Sequence, residues 1–185
     1  AIDDYHAAAT WLIENGYSSP EKLVANGGSA SGSLAGAAVT QRPDLYGAGV
    51  IDIPTFDMLR RGGWEEEFGD PQDPEDFKVL YRYSPYHNIE SGVCYPPMLV
   101  MAGEKDETAV PFHAYKFIAR LQAQQACESP ALLNVMWGAG PRASQYLVLG
   151  AKARAVLLWF AVAHNLRVGE RLRAQAALRS VKISR

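Results

Sequence analysis

Long apolar runs, cysteines and surplus charge of either sign are all scarce in this chain of 185 residues. The longest apolar run, AVLLWFAVA at residues 155–163, falls well short of the roughly 20 residues that a membrane-spanning helix needs. Lys152 and Arg154 precede it in the same helix-like segment. A buried or half-buried helix is therefore expected, and no membrane partner. The 18 basic and 20 acidic residues leave a net charge of −2, which argues against nucleic acid as a partner, because such proteins carry a positive surplus. The two cysteines, Cys94 and Cys127, form neither a CxxC pair nor a disulfide framework. Reduced thiols and a cytoplasmic setting are the expectation. No secretory signal pattern is present, since the opening stretch AIDDYHAAATWLIENG is acidic and amphipathic. Internal repeats and low-complexity tracts are absent, and no metal or cofactor is expected.

What is present reads as one α/β domain over residues 1–168, followed by a basic tail at 169–185. That tail carries five basic residues and one acidic one. Asp3 or Asp4 is expected to cap a first helix reaching about Asn15, with Ala8, Trp11 and Leu12 on one face and Gly16 as its stop. Short apolar runs at residues 23–25, 49–53, 97–102 and 131–136 read as strands. Helices are expected at 33–40, 73–82, 112–125 and 146–165. Strand and helix alternate, and the strands are continuous apolar runs rather than period-two alternations. That pattern predicts a mostly parallel sheet of about four strands with helices on both faces. Residues 61–76, rich in Gly, Glu, Asp and Pro, read as a surface excursion.

The chemistry begins at Asn26-Gly27-Gly28-Ser29-Ala30-Ser31-Gly32. In a G-x-S-x-G elbow a strand turns sharply into a helix and lifts a nucleophilic serine out of the sheet's edge. Glycines flank it because neighbouring backbone passes too close for side chains. Here an apolar run precedes the turn and a small-residue helix follows, so the context fits. The last glycine is replaced by Ser31, for which some strain is expected. The other reading of the motif is an ordinary Gly/Ser-rich turn between strand and helix.

Longer stretches carry a resemblance. QRPDLYG at 41–47, FDMLRR at 56–61, YSPYHN at 83–88, YPPMLVMAGEKDETAVPFHAYKFIARLQ at 95–122 and WFAVAHNL at 159–166 are similar to the C-terminal part of the catalytic domain of prolyl oligopeptidase family serine peptidases. That resemblance implies a truncated α/β-hydrolase-type sheet, peptide substrates and a serine–aspartate–histidine triad in that chain order. It places the nucleophile at Ser29 and one oxyanion donor at the backbone N–H of Ala30. The triad carboxylate falls at Asp106, with Glu104 and Glu107 as neighbouring alternatives. Trp64 falls where relatives stack a ring on the substrate proline. The arginine with which relatives bind substrate backbone is Thr108 here.

The histidine's place in the resemblance is taken by Pro141, within Trp137-Gly138-Ala139-Gly140-Pro141-Arg142. His87 and His113 match positions where relatives carry histidine without using it as the base, while His6 and His164 lie on expected helices. The second oxyanion donor in relatives, a tyrosine hydroxyl, would lie upstream of Ala1. Two functional readings follow: a serine peptidase by descent, or a catalytically inactive module that binds or self-associates through an exposed sheet edge. An esterase using the same elbow fits the generic motif but leaves QRPDLYG and SPYHN unexplained.

Overall fold

The computed structural model describes residues 1–140. The helix expected at 146–165, the basic tail, Pro141 and His164 lie outside the described residues.

Each strand forms where an apolar run is bounded by turn residues. Strands β1 (Val24–Gly28), β2 (Ala48–Asp52), β3 (Met98–Gly103) and β4 (Ala131–Met136) make one parallel sheet in the order β1-β2-β3-β4. The register is continuous across it, with Gly28 opposite Asp52 and Asp52 opposite Met101. All four strands point the same way, so their C-terminal ends line one edge. In open parallel sheets that edge is where reactive residues gather.

The helices are α1 (Ile2–Glu14), α2 (Ala30–Gln41), the single turn α3 (Glu65–Phe68), α4 (Pro74–Tyr83) and α5 (Phe112–Gln124). Helix α2 packs on β1 and β2, and α5 on β3 and β4. The small residues of α2 permit close approach: a Cβ on Gly36 would lie 2.3 Å from Cε1 of Phe56. Phe56 in turn packs on Phe117 of α5 with ring centroids 4.0 Å apart, which ties the two helices together. Such aromatic pairs add about 1 kcal/mol beyond the area they bury. Asp73 caps α4 by accepting from the N–H groups of Glu75 and Asp76, and Pro74 at the first helical position removes an orphan donor.

Three expectations need correction. Cys94 and Cys127 are not free thiols but form a disulfide, with Cα atoms 5.2 Å apart. Chain spacing concealed this, because α5 returns the chain to the loop that enters β3. The argument for a reducing compartment from unpaired cysteines no longer applies. Neither Asp3 nor Asp4 caps α1 with its side chain; both lie inside its first turn. The core face of α1 is Tyr5, Ala9 and Ile13 rather than Ala8, Trp11 and Leu12. Trp11 is exposed and stacks instead on Tyr17, centroids 5.3 Å apart.

Candidate active site

Ser29 sits between β1 and α2 with φ 54° and ψ −125°. A non-glycine residue in this left-handed region is strained and needs neighbours that hold it. Its N–H donates to the carbonyl of Asp52 at the end of β2, at 3.0 Å, and its carbonyl accepts from Ser33 N–H at 3.1 Å. The turn is thus pinned on one side to the sheet and on the other to the helix. Gly27 is required by crowding, since a Cβ there would lie 2.2 Å from the carbonyl oxygen of Ser31. Ser31 does more than fit: its hydroxyl donates to Gly28 C=O at 2.7 Å and accepts from Gly28 N–H at 3.1 Å. The side chain that departs from the glycine pattern staples the turn. Ser29 is exposed, and among the described residues its hydroxyl makes no hydrogen bond. Ala30 opens α2, so its N–H belongs to the first turn, whose donors have no intrahelical partner.

Asp106 follows β3, two strands away along the same sheet edge, a separation of about 10 Å at ordinary strand spacing. It is 2% exposed. Its Oδ1 accepts from the N–H groups of Thr108 (2.9 Å) and Ala109 (2.8 Å), forming a tight turn. Its Oδ2 is buried and has no hydrogen-bond partner among the described residues. Glu104 and Glu107 are exposed, and the Glu104 carboxylate accepts from Gly138 N–H at 2.7 Å. The chain leaving β4 docks on this loop, with Lys105 N–H donating to Ala139 C=O at 2.9 Å. A Cβ on Gly103 would lie 2.7 Å from that same oxygen, which is why the position is glycine. Residues 137–140 therefore lie against the loop that holds Asp106.

The described histidines are engaged elsewhere. His6 Nε2 lies 3.2 Å from Ala38 C=O. His113 Nδ1 accepts from Asp57 N–H at 3.2 Å, and burial pushes its pKa down to about 4. His87 Nδ1 lies 2.8 Å from the Ser84 hydroxyl, and burial also lowers its pKa. Both histidines belong to a buried polar cluster around Asp57 that the sequence did not reveal. Asp57 Oδ1 accepts from Leu59 N–H at 3.0 Å, and Oδ2 pairs with Lys116. Lys116 also lies 4.0 Å above the Tyr86 ring. The one available signal was that Asp57, Ser84, His87, His113 and Lys116 all fall in the stretches carrying the resemblance.

Trp64 is 38% exposed and precedes α3. Its ring faces the Arg61 guanidinium at 5.8 Å, and that guanidinium lies 3.4 Å from the Phe68 centroid. Met58 and Phe68 line this box and also a cleft of about 490 Å³ that reaches Ala30 and Ser33. Trp64 lines the box but not the cleft. Among the described residues no group of three or more His, Cys, Asp or Glu is placed to hold a metal ion.

Comparison with known proteins shows the family to which the chain belongs. The model of the prolyl oligopeptidase family matches residues 1–161. The chain is similar to a prolyl endopeptidase of Elizabethkingia miricola, 38% identical over 168 residues, 87% of this chain and 24% of the relative. Among solved structures, one from a study of two prolyl endopeptidases superposes with a TM-score of 0.73 at 44% identity, covering 75% of this chain and 21% of the other. Another, prolyl oligopeptidase B of Galerina marginata bound to a 35-residue substrate, gives 0.69 at 33% identity, covering 72% and 20%. The chain spans about a quarter of the length of the curated relatives it matches.

Proposed function

The chain belongs to the prolyl oligopeptidase family of serine peptidases, and on that footing we propose that it carries the nucleophile, the carboxylate and one oxyanion donor of a peptide-hydrolysing site. Ser29 Oγ attacks the carbonyl carbon of a peptide bond. The Ala30 N–H, at the positive end of α2, receives the developing oxyanion. Asp106 Oδ2 is the acceptor that would hold the N–H of an imidazole base in the correct orientation.

Pro141 stands where that base is expected, and proline takes no proton. An unassisted serine hydroxyl is a poor nucleophile at neutral pH, and loss of one triad member leaves a residual acceleration of about 10³–10⁴-fold. Turnover by this chain alone is accordingly slow. The observation that carries the reading is Ser29 itself, held at φ 54° with its hydroxyl exposed and unbonded among the described residues.

A fluorophosphonate probe tests it. Slow labelling at Ser29 is expected, abolished by Ser29→Ala and accelerated by Pro141→His. An unlabelled Ser29 in both the native chain and the Pro141→His variant would refute the assignment. The second reading, an inactive module that binds or self-associates, draws on Pro141 and on the edge strand β1, where Val24 and Asn26 are exposed. Sedimentation that stays monomeric across concentration would remove its self-association arm.

A further inference from the structure

Resting on the reading of Ser29 as nucleophile, we propose that Ser33 is a positioning residue whose hydroxyl clamps Thr55 and so fixes the peptide unit that holds the Ser29 backbone. Among the described residues, two that are not glycine have positive φ, Ser29 at 54° and Ile53 at 38°. The elbow accounts for the first. The second is the greater anomaly, because Ile53 is β-branched and Pro54 follows it, which restricts the preceding residue toward extended conformations. Backbone strain of this kind persists only where the surroundings over-determine it, and it gathers at functional sites.

The two strained residues meet at one peptide unit. The carbonyl of Asp52 accepts from Ser29 N–H at 3.0 Å, and the N–H of Ile53 donates to Met101 C=O at 2.8 Å. Both groups belong to the planar unit that joins Asp52 to Ile53. Strand β1, which delivers Ser29, and strand β3, which leads to Asp106, are thereby tied through a single plane. The φ of Ile53 is the rotation between that plane and the chain beyond it. Pinning the chain beyond therefore sets how the Asp52 carbonyl meets Ser29.

Ser33 is the pin. Its hydroxyl donates to Thr55 C=O at 2.7 Å and accepts from Thr55 N–H at 3.3 Å, which uses its one proton. Its own N–H donates to Ser29 C=O at 3.1 Å. The bonds close a ring that runs from Ser29 through Asp52, Ile53, Thr55 and Ser33 back to Ser29. Ile53, Thr55 and Ser33 are buried, so bulk water does not replace the clamp. Without the hydroxyl, Ile53 relaxes out of the left-handed region and carries the Asp52 carbonyl away from Ser29.

The test uses two readouts on the full chain carrying Pro141→His: the fluorophosphonate labelling rate at saturating probe, and hydrogen exchange of the Ser29 amide by NMR. Ser33→Ala should slow labelling and speed that exchange by about tenfold each, the factor that the left-handed penalty of one residue corresponds to. The probe concentration for half-saturation should stay within about twofold. Adding Ile53→Gly should restore both readouts, because glycine takes positive φ without penalty, even though the lost side chain lowers stability further. A residue that merely fills the core predicts the opposite, a double variant worse in every measurement. If Ser33→Ala does not fold, Ser33→Cys, a weaker hydrogen-bonding group of similar shape, must show the same slowing and the same rescue. Parental labelling and exchange in a Ser33 variant with native circular dichroism, or no rescue by Ile53→Gly, overturns the proposal. Absence of labelling in the parent chains would instead remove the nucleophile assignment, and the exchange measurement would still decide the clamp.

Discussion

Asp57 and Asp106 are both almost wholly buried, at 1% and 2% exposure, yet they are used in opposite ways. Asp57 commits both oxygens inside the molecule, one to Leu59 N–H and one to Lys116. Asp106 commits one oxygen to its own turn and keeps the other without a partner among the described residues. A buried carboxylate with a satisfied shell holds two elements together. One with a free oxygen carries a desolvation cost that local structure does not offset. The first therefore reads as architecture and the second as a site kept ready for a proton-bearing partner. If that contrast is right, perturbing the Asp57 side should cost stability, and perturbing the Asp106 side should cost chemistry.

The largest effect is expected from Asp57→Ala. It strands the Lys116 ammonium and the Leu59 N–H, and removal of one partner of a buried pair typically costs about 3–5 kcal/mol. Urea denaturation should show a loss in that range, and a loss below about 1 kcal/mol would mean the cluster is ornamental. The disulfide comes next. Cys127 follows α5, the helix that carries Lys116 and His113, so the bridge braces the Asp57 side. Closing a loop of 33 residues restricts the unfolded chain by about 3–4 kcal/mol. The double replacement Cys94→Ser, Cys127→Ser should lower stability by about that amount and leave probe labelling of Ser29 within about twofold of native. A large loss of labelling would show the two sides are coupled.

Acid should act on the same side. His113 accepts from Asp57 N–H and must be neutral to do so. Its folded pKa of about 4 lies below the unfolded value near 6.5. The unfolded chain therefore binds the extra proton first. Stability is complete above pH ~6.5 and falls as pH drops toward ~4, by at most roughly 3 kcal/mol. His87, whose pKa burial also lowers, adds in the same direction. His113→Asn keeps an acceptor near the Nδ1 position without the titration, so its stability should vary less between pH 6.5 and 4. An unchanged pH profile in that variant would assign the acid sensitivity elsewhere.

The sequence exposed what depends on local pattern. Residues 131–136 read as a strand and form β4 over the same span, and the helix expected at 73–82 is Pro74–Tyr83. The elbow was legible because its glycines, serine and following small residues are contiguous. Ser31 was misjudged: a residue read as tolerated strain forms two hydrogen bonds to Gly28. What depends on distant parts meeting was not legible. Lys116 pairs with Asp57 across 59 positions, and Cys94 meets Cys127 across 33. The face of α1 was misread because Trp11 outweighs Ala9 in hydrophobicity, whereas packing against α2 favours the small residue. The box around Arg61 escaped notice because a guanidinium between aromatic rings leaves no signature in spacing.

The smallest stability effect should come from Asp106→Asn, and that smallness is the point of the contrast. Asparagine keeps one carbonyl oxygen, which can accept from Thr108 and Ala109 N–H as Oδ1 does now. The amide nitrogen takes the place of an oxygen that no described residue uses. The change should therefore alter stability by no more than about 1 kcal/mol. In the Pro141→His background the same change should slow fluorophosphonate labelling by about 10²-fold or more, because an amide N–H faces the imidazole where an acceptor is needed. A variant that loses several kcal/mol while labelling at the parental rate would invert the assignment. Asp106 would then be a structural residue like Asp57, and its free oxygen would owe nothing to catalysis.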